Sequence, residues 1–270
     1  MANVARFGVR PERERLVLLG LAMGLTLIAG SSVARACVKD AAGFLSTAES
    51  AAERRLLDQL GDLFDRLDRR QLTAPAFVAE VQRHLADIDL AAAVGRRAHG
   101  VLPRRPIFLK GNEDRLPARV VKLRAMAPGQ ISPPHAHHDE VSIQYVISGR
   151  LSVRQYDKVR RTGDATLLLR PTRRWVAGPG DMIGTAERYR NVHWLANDGD
   201  VTVLLNVKAM GDVGWTLDRP EIRRPGRLYL DPDSELREDG LLMARQIDER
   251  TAMARFGSRH PQAFPWPGKG

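Results

Sequence analysis

The sequence predicts a mainly β protein, an antiparallel barrel or sandwich of short strands preceded by a helical hairpin. Two observations near the front predict the helices: apolar residues recur every three or four positions from Thr47 to about Asp68, and again after Pro75, which is the period of one helix face. A third predicts the sheet. After Gly100 the chain changes to short alternating or continuously apolar runs cut by glycine and proline, as in β architectures with many short strands.

The chain opens on an arginine-bearing stretch to Arg15, an apolar core from Leu16 to Ala29, and small residues ending in Ala34-Arg35-Ala36. This order reads as an export signal over 1–36, and its apolar run is short for a membrane span. The expectation is an exported protein, periplasmic or secreted, whose mature domain has no membrane contact. A retained N-terminal anchor, or a lipid on Cys37, is the alternative.

In the first helix Ala52, Leu56, Leu57, Leu60, Leu63, Phe64 and Leu67 share a face, with Ser46 or Thr47 as its cap and Glu49 and Glu53 near its positive end. The second places Phe77, Val78, Val81, Leu85 and Ile88 together and ends near Val94-Gly95. The two make an αα-hairpin within a helical segment, 37–100, that packs on the barrel. His84 and His99 belong to it as surface or packing residues.

The barrel is expected over 101–220. Arg119 to Met126 alternates as a half-buried strand should, and Pro128-Gly129 turns the chain into a histidine cluster. Further strands are expected at Ser142 to Ile147, Leu151 to Tyr156, Ala165 to Leu169 and Val201 to Val207. The remainder, 221–270, is rich in proline, glycine and charge. It reads as an extension that wraps or edges the barrel, with one short helix between Glu235 and Ala254.

Composition narrows the function classes. Hydrophobic content of 43% and charged content of 27% are ordinary for a globular domain. Cys37 is the only cysteine, so a thiolate metal cluster is excluded and a soft-metal site must rest on histidine. The formal charge of +10 falls to +7 without residues 1–36, at 37 basic against 30 acidic residues. The arginines come in scattered pairs such as Arg54-Arg55, Arg160-Arg161 and Arg173-Arg174. Aromatic interleaving is missing, so a nucleic-acid platform is not expected. Neither a hydrolytic triad nor a phosphate or dinucleotide loop stands out.

The chemistry concentrates in Pro134-His135-Ala136-His137-His138. Residues two apart on a strand face the same way, so His135 and His137 can reach one ion, while His138 points to the other face. His193, at the start of another apolar β-type run, is the candidate third ligand. Asn191, Gln144, Tyr145 and Tyr156 are candidate pocket or supporting residues, and Tyr189 and Trp194 are expected to pack beside His193.

The run Gly129-Gln-Ile-Ser-Pro-Pro-His135-Ala-His137, followed twelve positions on by Gly149-Arg-Leu-Ser-Val-Arg-Gln-Tyr156-Asp157, resembles the first cupin motif. It is most similar to the version in three-histidine thiol dioxygenases of the plant cysteine oxidase and cysteamine dioxygenase family. Asn191-Val-His193 resembles that family's Asn-Ile-His, and Val81 to Leu90 resembles its N-terminal region. The resemblance covers, with gaps, about residues 50 to 208. It implies a double-stranded β-helix, or jelly-roll, barrel and an Fe(II) ion held by His135, His137 and His193. It also implies oxidation of a small or peptide thiol by O2 to a sulfinate.

Two positions depart from the usual patterns. Where common cupins place a glutamate ligand this chain has Ser142, with Glu140 two residues earlier. That leaves three neutral imidazoles and open coordination positions. The plant-type Leu-Asp-Val segment is here Leu205-Asn206-Val207. An exported metal- or ligand-binding cupin without turnover, or a cupin enzyme using Zn, Mn or Ni, is the competing reading. Cupins often pair through barrel strands, so an oligomer is compatible with the sequence.

Overall fold

Ser50 caps the first helix, and with it begins the part of the protein that the computed structural model describes: residues 50–111, 117–163, 165–187, 189–211, 226–237, 239–263 and Trp266. The expected export signal over 1–36 and Cys37 lie outside the described residues.

Helix α1 spans Ala51–Asp68, with the Ser50 side chain accepting from Glu53 N at 3.0 Å. The cap is Ser50, nearer the apolar run than Ser46 or Thr47. Helix α2, Ala74–Ala86, is capped by Thr73 and carries Pro75 in its first turn, where a missing N–H costs nothing. A single second helix running to Val94 is not formed. The Asp89 side chain accepts from Ala92 N and starts a separate helix α3, Leu90–His99. The hairpin is therefore a three-helix unit. Phe64 stacks on Phe77 with ring centroids 5.4 Å apart, and Arg97 reaches the buried Glu53 across α1 and α3 at 3.3 Å. No helix among the described residues is long and apolar enough to cross a membrane.

Among the described residues eleven strands follow: β1 Ile107–Lys110, β2 Ala118–Met126, β3 Ile131–His138, β4 Glu140–Ser148, β5 Leu151–Gly163, β6 Thr166–Ala177, β7 Met182–Thr185, β8 Val192–Asn197, β9 Thr202–Met210, β10 Gly226–Leu236 and β11 Leu242–Ile247. They form a five-stranded sheet in the order β1-β2-β9-β4-β7 and a closed ring in the order β10-β11-β6-β5-β8-β3. All strand pairs are antiparallel. A last helix α4, Glu249–Phe256, and a 3-10 turn at Pro261–Ala263 complete the described chain.

Alternation decides which side of each strand meets what. On the five-stranded sheet, Val121, Leu123, Val141, Ile143, Leu205 and Val207 join one apolar cluster with the leucines and phenylalanines of α1 and α2. This burial, at about 25 cal/mol per Å2, holds the helices to the sheet. The other face divides by position. Met126, Val146 and Leu204 pack with Leu151, Val153 and Leu195 of the ring, so the two sheets face each other over an apolar floor. Beyond that floor the same strands present Arg124, Ser142, Gln144, Asn206 and Lys208. The ring has its own apolar filling, to which Ala136, Tyr156, Leu167, Val192, Leu228 and Leu242 contribute.

The chain from residue 226, expected to wrap or edge the barrel, supplies two of its strands: β10 and β11 close the ring, with β10 beside β3 and β11 beside β6. Polar residues such as Asp231 and Pro232 hide the alternation in sequence, and the β10–β11 register shifts between Pro232 and Leu236. The short helix falls at Glu249–Phe256, overlapping the expected interval.

Candidate metal centre

His135, His137 and His193 each offer a ring nitrogen within 4.8 Å of the others, and all three are buried. Ring centroids lie 4.3 Å apart for His135–His193, 4.9 Å for His135–His137 and 5.2 Å for His137–His193. Local structure accounts for the convergence. The period of two puts His135 and His137 on one side of β3, and the antiparallel register sets His135 directly opposite His193 on β8. The cluster faces the five-stranded sheet, while Ala136, between the two ligand candidates, points into the ring. His138 shares the parity of Ala136 and is buried.

The protonation pattern follows from the contacts. His135 Nδ1 is 2.8 Å from the Pro133 carbonyl, which can only accept, so Nδ1 carries the proton and Nε2 keeps its lone pair. His137 Nδ1 is 3.2 Å from Glu140 Oε1, a close contact that is not aligned as a hydrogen bond. His135 Nε2, His137 Nε2 and His193 Nδ1 are buried with no hydrogen-bond partner among the described residues. Burial, reinforced by neighbouring histidines and by Arg227, pushes His135 and His193 well below the usual imidazole range. Burial also lowers His137, against the pull of Glu140. For Glu140 itself, burial opposes ionisation, but His137 and Lys208, whose Nζ lies 2.9 Å from Oε1, outweigh it and keep the carboxyl below its ordinary range.

Orphaned, neutral, converging imidazole nitrogens are costly as a hydrogen-bonding arrangement and are the donor set a divalent metal requires. The residues present fit such an ion. Glu140, two positions before the usual carboxylate ligand, stands beside His137, where a carboxylate could restrain an imidazole that holds a metal. Sequence reasoning gave that residue no role. The signal was its three-residue spacing from His137 across a turn in which Asp139 takes φ 45°.

Asn191 is in the site as a clamp. Its Oδ1 accepts from His137 N at 3.2 Å, and its Nδ2 donates to His137 O and Ala186 O, both at 3.0 Å. Gln144 lines the cleft beside the histidines, together with Ser132, Ser142 and Asn206. Tyr156 does not. It packs in the ring's interior against Trp266, with ring centroids 5.6 Å apart. The residue sharing His193's side of the sheet is its register partner Gln155, fully buried and donating to Gly184 O at 3.0 Å. Tyr145 is half-buried and packs toward the helices, as does Tyr189. Trp194 packs edge-on against Phe256.

No family model matches the chain, and no curated protein matches it. Among solved structures it is similar to an uncharacterized conserved protein with a double-stranded β-helix domain from Klebsiella pneumoniae, at 24% identity over 43% of this chain and 89% of that one, with a TM-score of 0.29. A cupin superfamily protein from Desulfitobacterium hafniense gives 12% identity over 41% and 82% of the two chains, with a TM-score of 0.27. A recombinant oxalate oxidase solved with glycolate gives 19% over 41% and 45%, also at 0.27. The fold assignment rests on the strand order and the facing sheets rather than on these likenesses. Fold and site together define a cupin barrel with an N-terminal helical unit. Within it is a buried three-histidine cluster suited to a divalent metal ion.

Proposed function

We propose that the protein is a mononuclear non-haem iron enzyme that uses O2 to oxidise a small thiol or a thiol-bearing peptide to a sulfinate. The observation that carries the reading is the all-histidine donor set: three buried neutral imidazoles, with Ser142 where a carboxylate ligand would otherwise sit. A three-histidine face leaves coordination positions open, and the first cupin motif resembles that of the three-histidine thiol dioxygenases. In the overall reaction R–SH + O2 → R–SO2⁻ + H⁺, both oxygen atoms go to sulfur. Four electrons leave sulfur and enter O2, so no separate reductant is required.

His135, His137 and His193 would hold the iron, which when bound would bring thiolate and O2 together and let electrons pass between them. The chain's own contribution is positional. The Pro133 carbonyl fixes one histidine's tautomer, Glu140 restrains a second, and Asn191 pins the backbone that carries it. Gln144 and Ser142, which line the cleft beside the histidines, would orient a substrate group. The apolar floor of Met126, Val146 and Leu204 closes the inner end of the cleft to water.

Anaerobic loading with Fe(II), followed by O2 uptake with a panel of thiols and diketones, tests the reading. Thiol-dependent uptake with sulfinate as product is expected. An iron-saturated protein that consumes no O2 with any thiol overturns it. Metal analysis of protein from its native compartment separates iron from Zn, Mn or Ni, which three imidazoles also accommodate.

A further inference from the structure

Strand β6 outruns one of its two neighbours. β11 pairs with it from Thr166 to Leu169 and stops there, while β5 continues alongside as far as Ala177. From Arg170 onward the other flank of β6 has no strand beside it among the described residues. The sequence accounts for the break. Pro171 has no N–H to give to a ladder, and β11 is entered from the turn at Arg237 to Leu241, immediately before Leu242.

The open flank lies in a groove. Five consecutive residues, Thr172 to Val176, line a space of about 540 Å3, and Gln262 and Trp266 from the C-terminal segment complete the lining. Thr172, Arg173 and Arg174 are exposed, and Val176, a β-branched apolar residue, is 54% exposed. Arg173 sits over the Trp175 ring, 4.0 Å from its centroid, and Arg174 Nε donates to Gln262 Oε1. Both of these partners are uncharged, and the lining contains no carboxylate.

The period of two sorts the side chains. Arg173 and Trp175 share one face of β6; Arg174 and Val176 share the other. Each face therefore offers a guanidinium and then, two residues on, an apolar group. A free flank also offers a row of backbone donors and acceptors to any extended chain laid beside it.

We infer that the groove along Thr172 to Val176 is a docking site for an extended acidic peptide segment that adds to the sheet beside β6. In antiparallel addition the matching segment has two adjacent apolar residues, opposite Val176 and Trp175, followed by two adjacent acids, opposite Arg174 and Arg173. Five residues of strand span about 17 Å, so a hexapeptide fills the site. A second copy of the chain is a poor occupant, because it would bring Arg173 and Arg174 against the same two arginines. Arginine on a bare edge also discourages self-pairing, but that role needs neither the exposed Val176 nor the lining from Gln262 and Trp266.

The test is fluorescence anisotropy on the full chain with the fluorescein-labelled hexapeptide Thr-Val-Val-Glu-Glu-Thr. Replacing its two glutamates by lysine should weaken binding about tenfold or more, the scale of two exposed charge pairs. In the Arg173→Gln, Arg174→Gln double variant, with folding verified by circular dichroism, the two peptides should bind within about twofold of each other. Strand addition makes a further demand, since alternate N–H groups of the peptide face β6. N-methylation at positions two and four, or at three and five, should therefore weaken binding about tenfold in one pattern and little in the other.

Equal binding of the acidic and lysine peptides, or no binding of either, overturns the proposal. Equal sensitivity to both methylation patterns overturns strand addition. A homodimer in sedimentation velocity whose formation blocks the peptide makes a second copy the occupant and overturns the assignment of an acidic segment.

Discussion

Asn191 acts as a substitute strand partner for His137, accepting from its N–H at 3.2 Å and donating to its carbonyl at 3.0 Å. The last β3–β8 register pair is His135 with His193, and beyond it the amide side chain does what backbone does elsewhere in the sheet. Asn191→Ala would leave at least two buried backbone groups unpartnered, at about 1–3 kcal/mol each. A loss of about 2–4 kcal/mol in denaturant unfolding is expected, together with weakened metal binding. Asn191→Asp should not rescue, because the carboxylate cannot donate to the carbonyls of His137 and Ala186.

Glu140→Gln isolates the carboxylate behind His137. It keeps shape and hydrogen-bonding capacity but removes the charge that faces His137 and Lys208. Metal affinity, measured by competition with a chelator, should fall about 10- to 100-fold, as for other partners of ligating histidines. An unchanged affinity would show that the contact orients nothing.

Metal should stabilise the fold through the histidines alone. At a free metal concentration a hundredfold above Kd, stabilisation of about 2.7 kcal/mol is expected. His193→Ala should abolish the accompanying rise in Tm while leaving a folded, metal-free barrel that circular dichroism can verify.

The metal-free protein should lose stability in acid. His135, His137 and His193 have folded-state pKa values depressed by burial, so between those values and the unfolded value near 6.5 the unfolded chain binds more protons. Stability is therefore fully present above about pH 6.5 and declines as pH falls through the depressed values. Denaturant titrations between pH 7.5 and about pH 4.5 measure the slope, which a variant with His135, His137 and His193 replaced by glutamine should flatten.

Gly184 reports the seating of the helices on the sheet. A Cβ there would lie 2.4 Å from Val78 Cγ1 of α2. Gly184→Ala should cost about 1–3 kcal/mol by overpacking. Combining it with Val78→Ala should recover part of that loss, a coupling that a double-mutant cycle reads directly.

The ligand candidates were legible because their signal is local: two histidines at strand spacing, then Asn191-Val192-His193 before an apolar run. The helix periods were legible for the same reason. What failed depended on register. Tyr156 and Gln155 are adjacent, so only the pairing of Gln155 with His193 decides which of them shares the histidine side. Glu140 was set aside because it does not occupy the usual ligand position. Its role emerges only once the turn at Asp139 is folded. The closing strands were hidden by charge and proline, since a strand that seals a small ring needs only one side apolar.

That closure bears on where the protein can be cut. A chain shortened after β9 would retain all three histidines, yet it would bare one flank of β3 and one of β6, both normally covered by β10 and β11. Naked sheet margins invite pairing between molecules. A proteolytic fragment of this kind would carry the complete ligand set and still accumulate as insoluble assemblies, its chemistry lost to self-association rather than to any missing donor.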